Sequence, residues 1–216
     1  TAAQSLHGTW RFAVEPRDAA QGWRSLKDGR RWVWNKNEQK LAPIDRAART
    51  GLDASFHLPG IADHESPWTD LEVPDNWERQ GHSTPVFSRA CLDRDDVVGY
   101  YRRWFELNES WSNGRVILQA EGVATSAEVW VNGAEVGYHD GGFVPFQMDV
   151  TDHVRFGQRN LIAIRVVKAD ISTAHDSSGQ WMLSGIHRDI FLFHVPPVHV
   201  VDATVVGDFD ATRGAG

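Results

Sequence analysis

Few of the reactive side chains in this 216-residue sequence stand at a spacing that does chemistry by itself. Two dipeptides, His139-Asp140 and His175-Asp176, join an imidazole to a carboxylate, a combination that ligates metals or relays protons. Either would need further ligands supplied by the fold, so both are read as structural or surface residues. Paired carboxylates at a defined separation are the machinery of glycosidic-bond hydrolysis, one acting as acid and the other as nucleophile or base. With 29 Asp+Glu such pairs arise by chance, and spacing singles out none of them. The aromatic content is more distinctive: ten Trp and ten Phe stand against three Tyr. Trp buries a large area in a core, and it is also the side chain that stacks on the apolar face of a sugar ring.

Several common signatures are absent, among them the G-x-S-x-G elbow, the P-loop, the dinucleotide glycine fingerprint, H-E-x-x-H and C-x-x-C. A lone Cys91 excludes an internal disulfide framework and a multi-cysteine zinc site. Asn108-Glu109-Ser110 matches a glycosylation sequon, which matters in a eukaryotic secreted product.

The elements that would carry any site read as strands. Trp10, Phe12 and Val14 alternate with polar neighbours, Leu71 and Val73 flank Glu72, and residues 100–107 form a dense aromatic run. Residues 116–118 follow the turn dipeptide Asn113-Gly114. Residues 127–131 and 134–138 flank Asn132-Gly133, the strongest short-range hairpin signal. Further strands are expected at 146–150, 161–167, 190–195 and 198–206. A single helical turn is expected at 151–154, capped by Thr151 or Asp152, with a second short helical segment at 44–49. Strands about ten residues apart, separated by turns, predict an all-β chain, an antiparallel sandwich of jelly-roll type. The loops at 140–142 and 176–179 are expected at one end of it, where function collects. Residues 26–67 read as a long, polar, irregular insertion.

The charge balance, 22 Lys+Arg against 29 Asp+Glu, gives a net −7, and the cations are scattered, so no nucleic-acid partner is expected. Arg30-Arg31 and Arg102-Arg103 read as solvated pairs. No run approaches the ~20 apolar residues of a membrane span. The opening Thr1-Ala2-Ala3-Gln4 is neither a start methionine nor an export signal, which leaves cytoplasmic and exported locations open.

Five segments in order resemble the N-terminal sugar-binding jelly roll of glycoside hydrolase family 2, the family of β-galactosidases, β-glucuronidases and β-mannosidases. Leu6-His7-Gly8-Thr9-Trp10-Arg11-Phe12 is similar to its L-x-G-x-W-x-F entry, and Val73-Pro74-Asp75-Asn76-Trp77 to its V-P-x-N-W motif. Gly99-Tyr100-Tyr101 through Phe105 resembles the strand that follows. Gly122-Val123 through the Asn132-Gly133 hairpin to Val136-Gly137-Tyr138 matches the next, and Trp181 to Ile190 resembles W-x-x-S-G-I-x-R-D-V. The match is closest to the β-galactosidases.

The resemblance implies a galactose-binding-domain-like sandwich over residues 1–197. Residues 198–216 would then be a linker and the first strand of a truncated immunoglobulin-like domain. It also implies a retaining exo-β-glycosidase whose two catalytic glutamates lie in a TIM barrel beyond this chain, so no residue here is catalytic. Glu38 and Glu109 follow asparagines as the barrel glutamates do, but neither is assigned that role. The sugar-binding residues implied are Asp189, which in β-galactosidases reaches the sugar or its bound cation, with Trp181, His139 and Asp140. The alternative for Asp189 is that it pairs with Arg188 or a neighbouring amide and only fixes its loop. The chain itself requires no cofactor, and a cation at the parent active site, touching Asp189, is the one metal implied. The β-galactosidase pattern has an asparagine where this sequence has Ala124, whose methyl group cannot hydrogen-bond a sugar hydroxyl. The partners expected are a carbohydrate substrate and the remaining domains of a bacterial, homo-oligomeric parent. Two other readings stand beside this one. The first is a free-standing carbohydrate-binding module using exposed Trp32, Trp34 or Trp68, and the second is a β-sandwich that serves protein assembly.

Overall fold

A computed structural model describes residues 2–16, 24–27, 30–35, 40–43, 51–85, 97–169 and 181–207. Two antiparallel sheets form the body. The six-stranded sheet contains β2 (Gly8–Pro16), β6 (Thr69–Val73), β7 (Val97–Glu106), β10 (Ser126–Val131), β11 (Ala134–Asp140) and β13 (Arg159–Val167), in the order β11-β10-β13-β7-β2-β6. The four-stranded sheet contains β1 (Ala3–Ser5), β8 (Arg115–Ala120), β12 (Phe146–Asp149) and β15 (Ile190–Val195), in the order β1-β15-β8-β12. A two-residue ladder joins β9 (Val123–Ala124) to β14 (Gly185–Ile186). After β7 the chain passes between the sheets repeatedly, which is the expected jelly-roll sandwich. No described helix is long and apolar enough to cross a membrane.

The side-chain period of two explains the layers. Ala127, Val129 and Val131 on β10, Ile162, Ile164 and Val166 on β13, and Trp10 and Phe12 on β2 point inward against Val116, Leu118 and Ala120 of β8 and Ile190 and Leu192 of β15. Asn132, at φ 52°, and Gly133, at φ 87°, turn the β10–β11 hairpin as that dipeptide requires. Asn132 also binds outside its turn, donating to the His153 carbonyl and accepting from the Leu161 amide.

The opposite face of the six-stranded sheet departs from expectation. The insertion contains a three-stranded antiparallel sheet, β3 (Arg24–Lys27), β4 (Arg30–Asn35) and β5 (Lys40–Pro43), then a short helix α1 (Gly51–Ser55). From α1 onward it packs on that face, where Leu52 and Phe56 meet Ala13, Trp68, Val98, Tyr100, Trp130 and Val167 in a second cluster. Phe56 lies edge-on to Trp130, ring centroids 5.0 Å apart. Arg102, read as solvated, is therefore buried: it pairs with Asp63 at 2.8 Å and donates to the carbonyls of Phe56 and Leu58. Arg103 donates to the Thr9 carbonyl and lies over the Trp10 ring. Arg165 is buried between Asp53 and Glu128. Burial works against its charge, and the two carboxylates outweigh burial and raise its pKa. Trp68 is 5% exposed and offers no ring to a sugar, contrary to the module reading.

Two smaller expectations also change. The turn at 151–154 is a 3₁₀ turn, Thr151–His153, whose cap position is Val150 and lacks a side-chain bond. The Asp149 carboxylate accepts from the Thr151 amide and hydroxyl instead. Residues 198–206, expected as a strand, form none: no strand lies beside them among the described residues, and Val198, Val200, Val201, Val205 and Val206 are 80–93% exposed. An extended run becomes a strand only when its backbone groups find a partner. The helical expectation at 44–49, the loop at 176–179, His175 and Cys91 lie outside the described residues, as do the side chains of Arg30, Arg31, Trp32 and Trp34.

Candidate functional site

Of the implied residues, the turn before β15 carries Asp189. His187, Arg188 and Asp189 are each tied down by the backbone. His187 donates its amide to the Gly122 carbonyl at 3.3 Å, and the Asp189 carbonyl accepts from the Glu121 amide at 2.8 Å. The Arg188 guanidinium donates to the Phe143 carbonyl at 3.1 Å and lies over the Phe143 ring. The His187 ring meets the Gly142 carbonyl through Nε2 at 2.9 Å. These bonds join the Asp189 turn directly to the loop that follows Asp140, the last residue of β11. Gly122 permits this, because a Cβ there would come within 3.0 Å of the His187 ring and the Arg188 chain.

Anchoring the backbone leaves the Asp189 side chain 64% exposed, with His7 Nε2 3.5 Å from one oxygen. Arg188 does not take it. A carboxylate open to solvent on an anchored turn is able to accept hydrogen bonds from hydroxyl groups. His139 is set differently: its ring stacks on Phe146 at 4.4 Å and meets the Gly141 carbonyl through Nε2 at 3.0 Å. That contact shapes the loop. Trp181 is 60% exposed. Ala124 is buried, paired with Gly185 in the β9–β14 ladder.

Beneath the turn, two of the sequence motifs interlock. The Asp75 amide bonds the Ile186 carbonyl at 3.0 Å, the Trp77 amide and the Asn76 side chain both reach the Ser184 carbonyl, and the Ser184 amide donates to Glu78 at 2.9 Å. The segments 73–78 and 181–186 are thus one structural unit, although about a hundred residues separate them. Sequence reasoning missed His7 and Glu78 as parts of this end and offered Arg188 only as a partner of Asp189, whereas it binds the Phe143 carbonyl. Their only signal is membership of the motifs. Among the described residues no three His, Cys, Asp or Glu gather around a metal position.

Residues 61–196, more than half of the chain, match the model of the glycosyl hydrolases family 2 sugar binding domain. The chain belongs to glycosyl hydrolase family 2. A β-galactosidase of Clostridium acetobutylicum is 37% identical over 205 residues, covering 95% of this chain and 21% of that protein. A β-galactosidase of Streptococcus thermophilus is 32% identical over 160 residues, covering 68% of this chain and 16% of its own length. The family 2 chain thus spans about a fifth or less of these relatives. Among solved structures, a Bacteroides uniformis β-glucuronidase superposes with TM-score 0.59 at 22% identity over 90% of this chain and 18% of its own. A Ruminococcus gnavus β-glucuronidase gives 0.60 at 17% identity, over 90% and 29%. Both show the same fold.

Burial lowers the His187 pKa, the Gly142 carbonyl raises it, and neighbouring Arg188 lowers it. The net direction is downward, so below about pH 6.5 the unfolded chain binds the proton more readily than the folded domain, and stability falls as pH falls. Burial gives His82 the same direction. Urea midpoints measured at pH 7.5 and 5.5 will show a loss for the natural sequence and a smaller loss for His187→Asn. Equal losses would assign the acid sensitivity elsewhere.

Proposed function

We propose that this family 2 sugar-binding domain serves a longer retaining β-glycosidase of β-galactosidase type, in which Asp189 forms part of the sugar-facing wall of the active site. The observation that carries the reading is the Asp189 turn: four backbone and side-chain bonds hold it while its carboxylate stays open. In that reading the two catalytic glutamates belong to another part of the polypeptide, one as nucleophile and one as acid/base. Asp189 orients a sugar hydroxyl, and the 140–143 loop borders the entrance. Residues 198–206 begin the following domain, which supplies their missing strand partner.

The complete enzyme tests this. Asp189→Ala removes a charged hydrogen-bond acceptor whose loss costs about 1.5–3 kcal/mol, so kcat/KM falls by roughly 10- to 100-fold, with KM raised and the fold intact. A change below about twofold would leave Asp189 as a loop fixture, on the same scale of hydrogen-bond energies. The exposed Trp181 gives the 216-residue chain a fluorescence signal for titration with galactosides, glucuronides and mannosides. No saturation up to tens of millimolar favours a wall completed by the rest of the enzyme, whereas Asp189-dependent saturation favours a module that binds unaided.

A further inference from the structure

Among the described residues the six-stranded sheet ends at β6, whose ladder to β2 sets Thr9 opposite Glu72, Trp10 opposite Leu71 and Arg11 opposite Asp70. A sheet edge is a template for another strand, because its outward N–H and C=O groups lack partners. In an antiparallel strand successive residues turn these groups alternately to one side and to the other. Gln80 shows which residues of β6 look outward: its carboxamide oxygen accepts the Glu72 amide at 2.9 Å, and its nitrogen donates to the Glu72 carbonyl at 2.8 Å. Asp70 therefore looks outward with Glu72, as do Trp68 just before the strand and Pro74 just after it, where the alternation continues.

That outward set is closed almost throughout. The Trp68 amide donates to the Glu65 carbonyl at 2.9 Å, and the Trp68 carbonyl accepts from Arg11 at 3.0 Å. Pro74 has no N–H to offer. Glu72 is closed by Gln80, which binds it as the backbone of a neighbouring strand would. Only Asp70 is left. Gln80 is set in place by a firm support: its amide and that of His82 both donate to the Trp77 carbonyl, at 3.2 and 3.0 Å, and Trp77 is fully buried with its ring 5.6 Å from that of Phe12. Charge adds a second barrier. Asp70, paired with Arg11, and Glu72, which accepts from the Thr9 hydroxyl, project from the face opposite buried Leu71 and Val73. A second copy laid antiparallel about Leu71 would set each Asp70 against the other's Glu72, and like charges directly opposite destabilise a strand pair.

We propose that Gln80 is a strand surrogate that keeps the β6 edge closed to a second copy of this chain. The geometry selects that occupant. Antiparallel pairing about Leu71 presents the same outward groups from both sides, Asp70 to Glu72 and Glu72 to Asp70, so an edge freed of Gln80 is self-complementary in its backbone. The facing carboxylates then oppose the pairing alone, and salt screens them, whereas a hydrogen-bonded carboxamide blocks the edge at any ionic strength. The inference stands independently of the role given to Asp189.

Sedimentation velocity and amide hydrogen exchange of the 216-residue chain test it at about 0.01 M and about 1 M salt, between which the screening length falls from about 30 Å to about 3 Å. In dilute Gln80→Ala the Glu72 amide should exchange several-fold faster than in the natural sequence, because its acceptor is gone. At high salt and rising concentration the variant should self-associate where the natural sequence does not, with the Asp70 and Glu72 amides becoming protected. Gln80→Ala combined with Glu72→Thr, which removes the facing charge, should associate in both salts. Gln80→Glu still accepts the Glu72 amide but cannot donate to its carbonyl, so it keeps the test open if Gln80→Ala fails to fold, and it should associate at high salt more weakly. Variants that associate no more than the natural sequence at high salt would overturn the proposal. So would association whose new protection lies away from residues 68–74, or a natural sequence whose Asp70 amide already gains protection with concentration.

Discussion

Lys168→Ala will destabilise the domain by about 3–5 kcal/mol, the range for removing one partner of a fully buried ion pair. Lys168 Nζ lies 3.0 Å from Glu78 Oε1, and neither side chain is exposed at all. The same ammonium donates to the Thr84 carbonyl at 3.1 Å, while the other Glu78 oxygen accepts the Ser184 amide. The truncated variant strands a carboxylate where water does not reach. In urea the midpoint falls by more than about 1 M with an unchanged slope, given slopes of 1–3 kcal/mol per M for small proteins. The double variant Lys168→Met with Glu78→Gln recovers most of the loss, because the amide oxygen still accepts from Ser184 and no unpaired charge remains. A single-variant cost below about 1 kcal/mol would mean that water solvates Glu78 in the folded state, which removes the desolvation cost on which the estimate rests. Because Glu78 anchors Ser184, the damage extends to the segment that leads into the Asp189 turn.

Gly185→Ala will cost about 3 kcal/mol or more, from two sources that add. Gly185 has φ +113°, a conformation L-residues adopt only at a cost of about 1–3 kcal/mol. A Cβ there would also lie 2.7 Å from the Tyr101 hydroxyl and 3.2 Å from the Asp75 carbonyl, and such overpacking costs about 1–3 kcal/mol in a filled core. The Asp75 oxygen belongs to the backbone and moves only with the 73–78 segment. Thermal or urea unfolding checks the size of the loss, and Gly60→Ala is the control. Nothing lies within 4 Å of a Cβ at Gly60, so that change stays within about 0.5 kcal/mol, as surface substitutions do. A Gly185→Ala loss no larger than the control's would mean that the β9–β14 ladder shifts freely. The variant also tests the site: where it remains folded, any sugar response that depends on Asp189 should be weakened.

Much of the sandwich was legible in the residues. Trp10, Phe12 and Val14, the alternation along 161–167 and the Asn132-Gly133 turn place strands where the structure has them, because a strand's side-chain period and a turn's positive φ are local properties. The candidate site was legible through its motifs rather than its chemistry. Nothing local to Asp189 says that Gly122, Gly142 and Phe143 will hold its turn. Arg102 shows the same limit from the other side. Its position in the alternation points it away from the core, which locally means water, but residues 51–68 cover that face and supply Asp63 and two carbonyls. The valines after Val198 carry the β-branched signal of a strand and form none.

The sequence by itself determined the all-β class, most strand positions, the tight hairpin and the family, since each rests on residue type and short-range spacing. Tertiary structure alone decided which outward faces are dry, which charges are paired and which loops meet. Those depend on contacts between segments as far apart as Glu78 and Ser184, and burial or pairing at one residue is decided by whatever the fold lays against it.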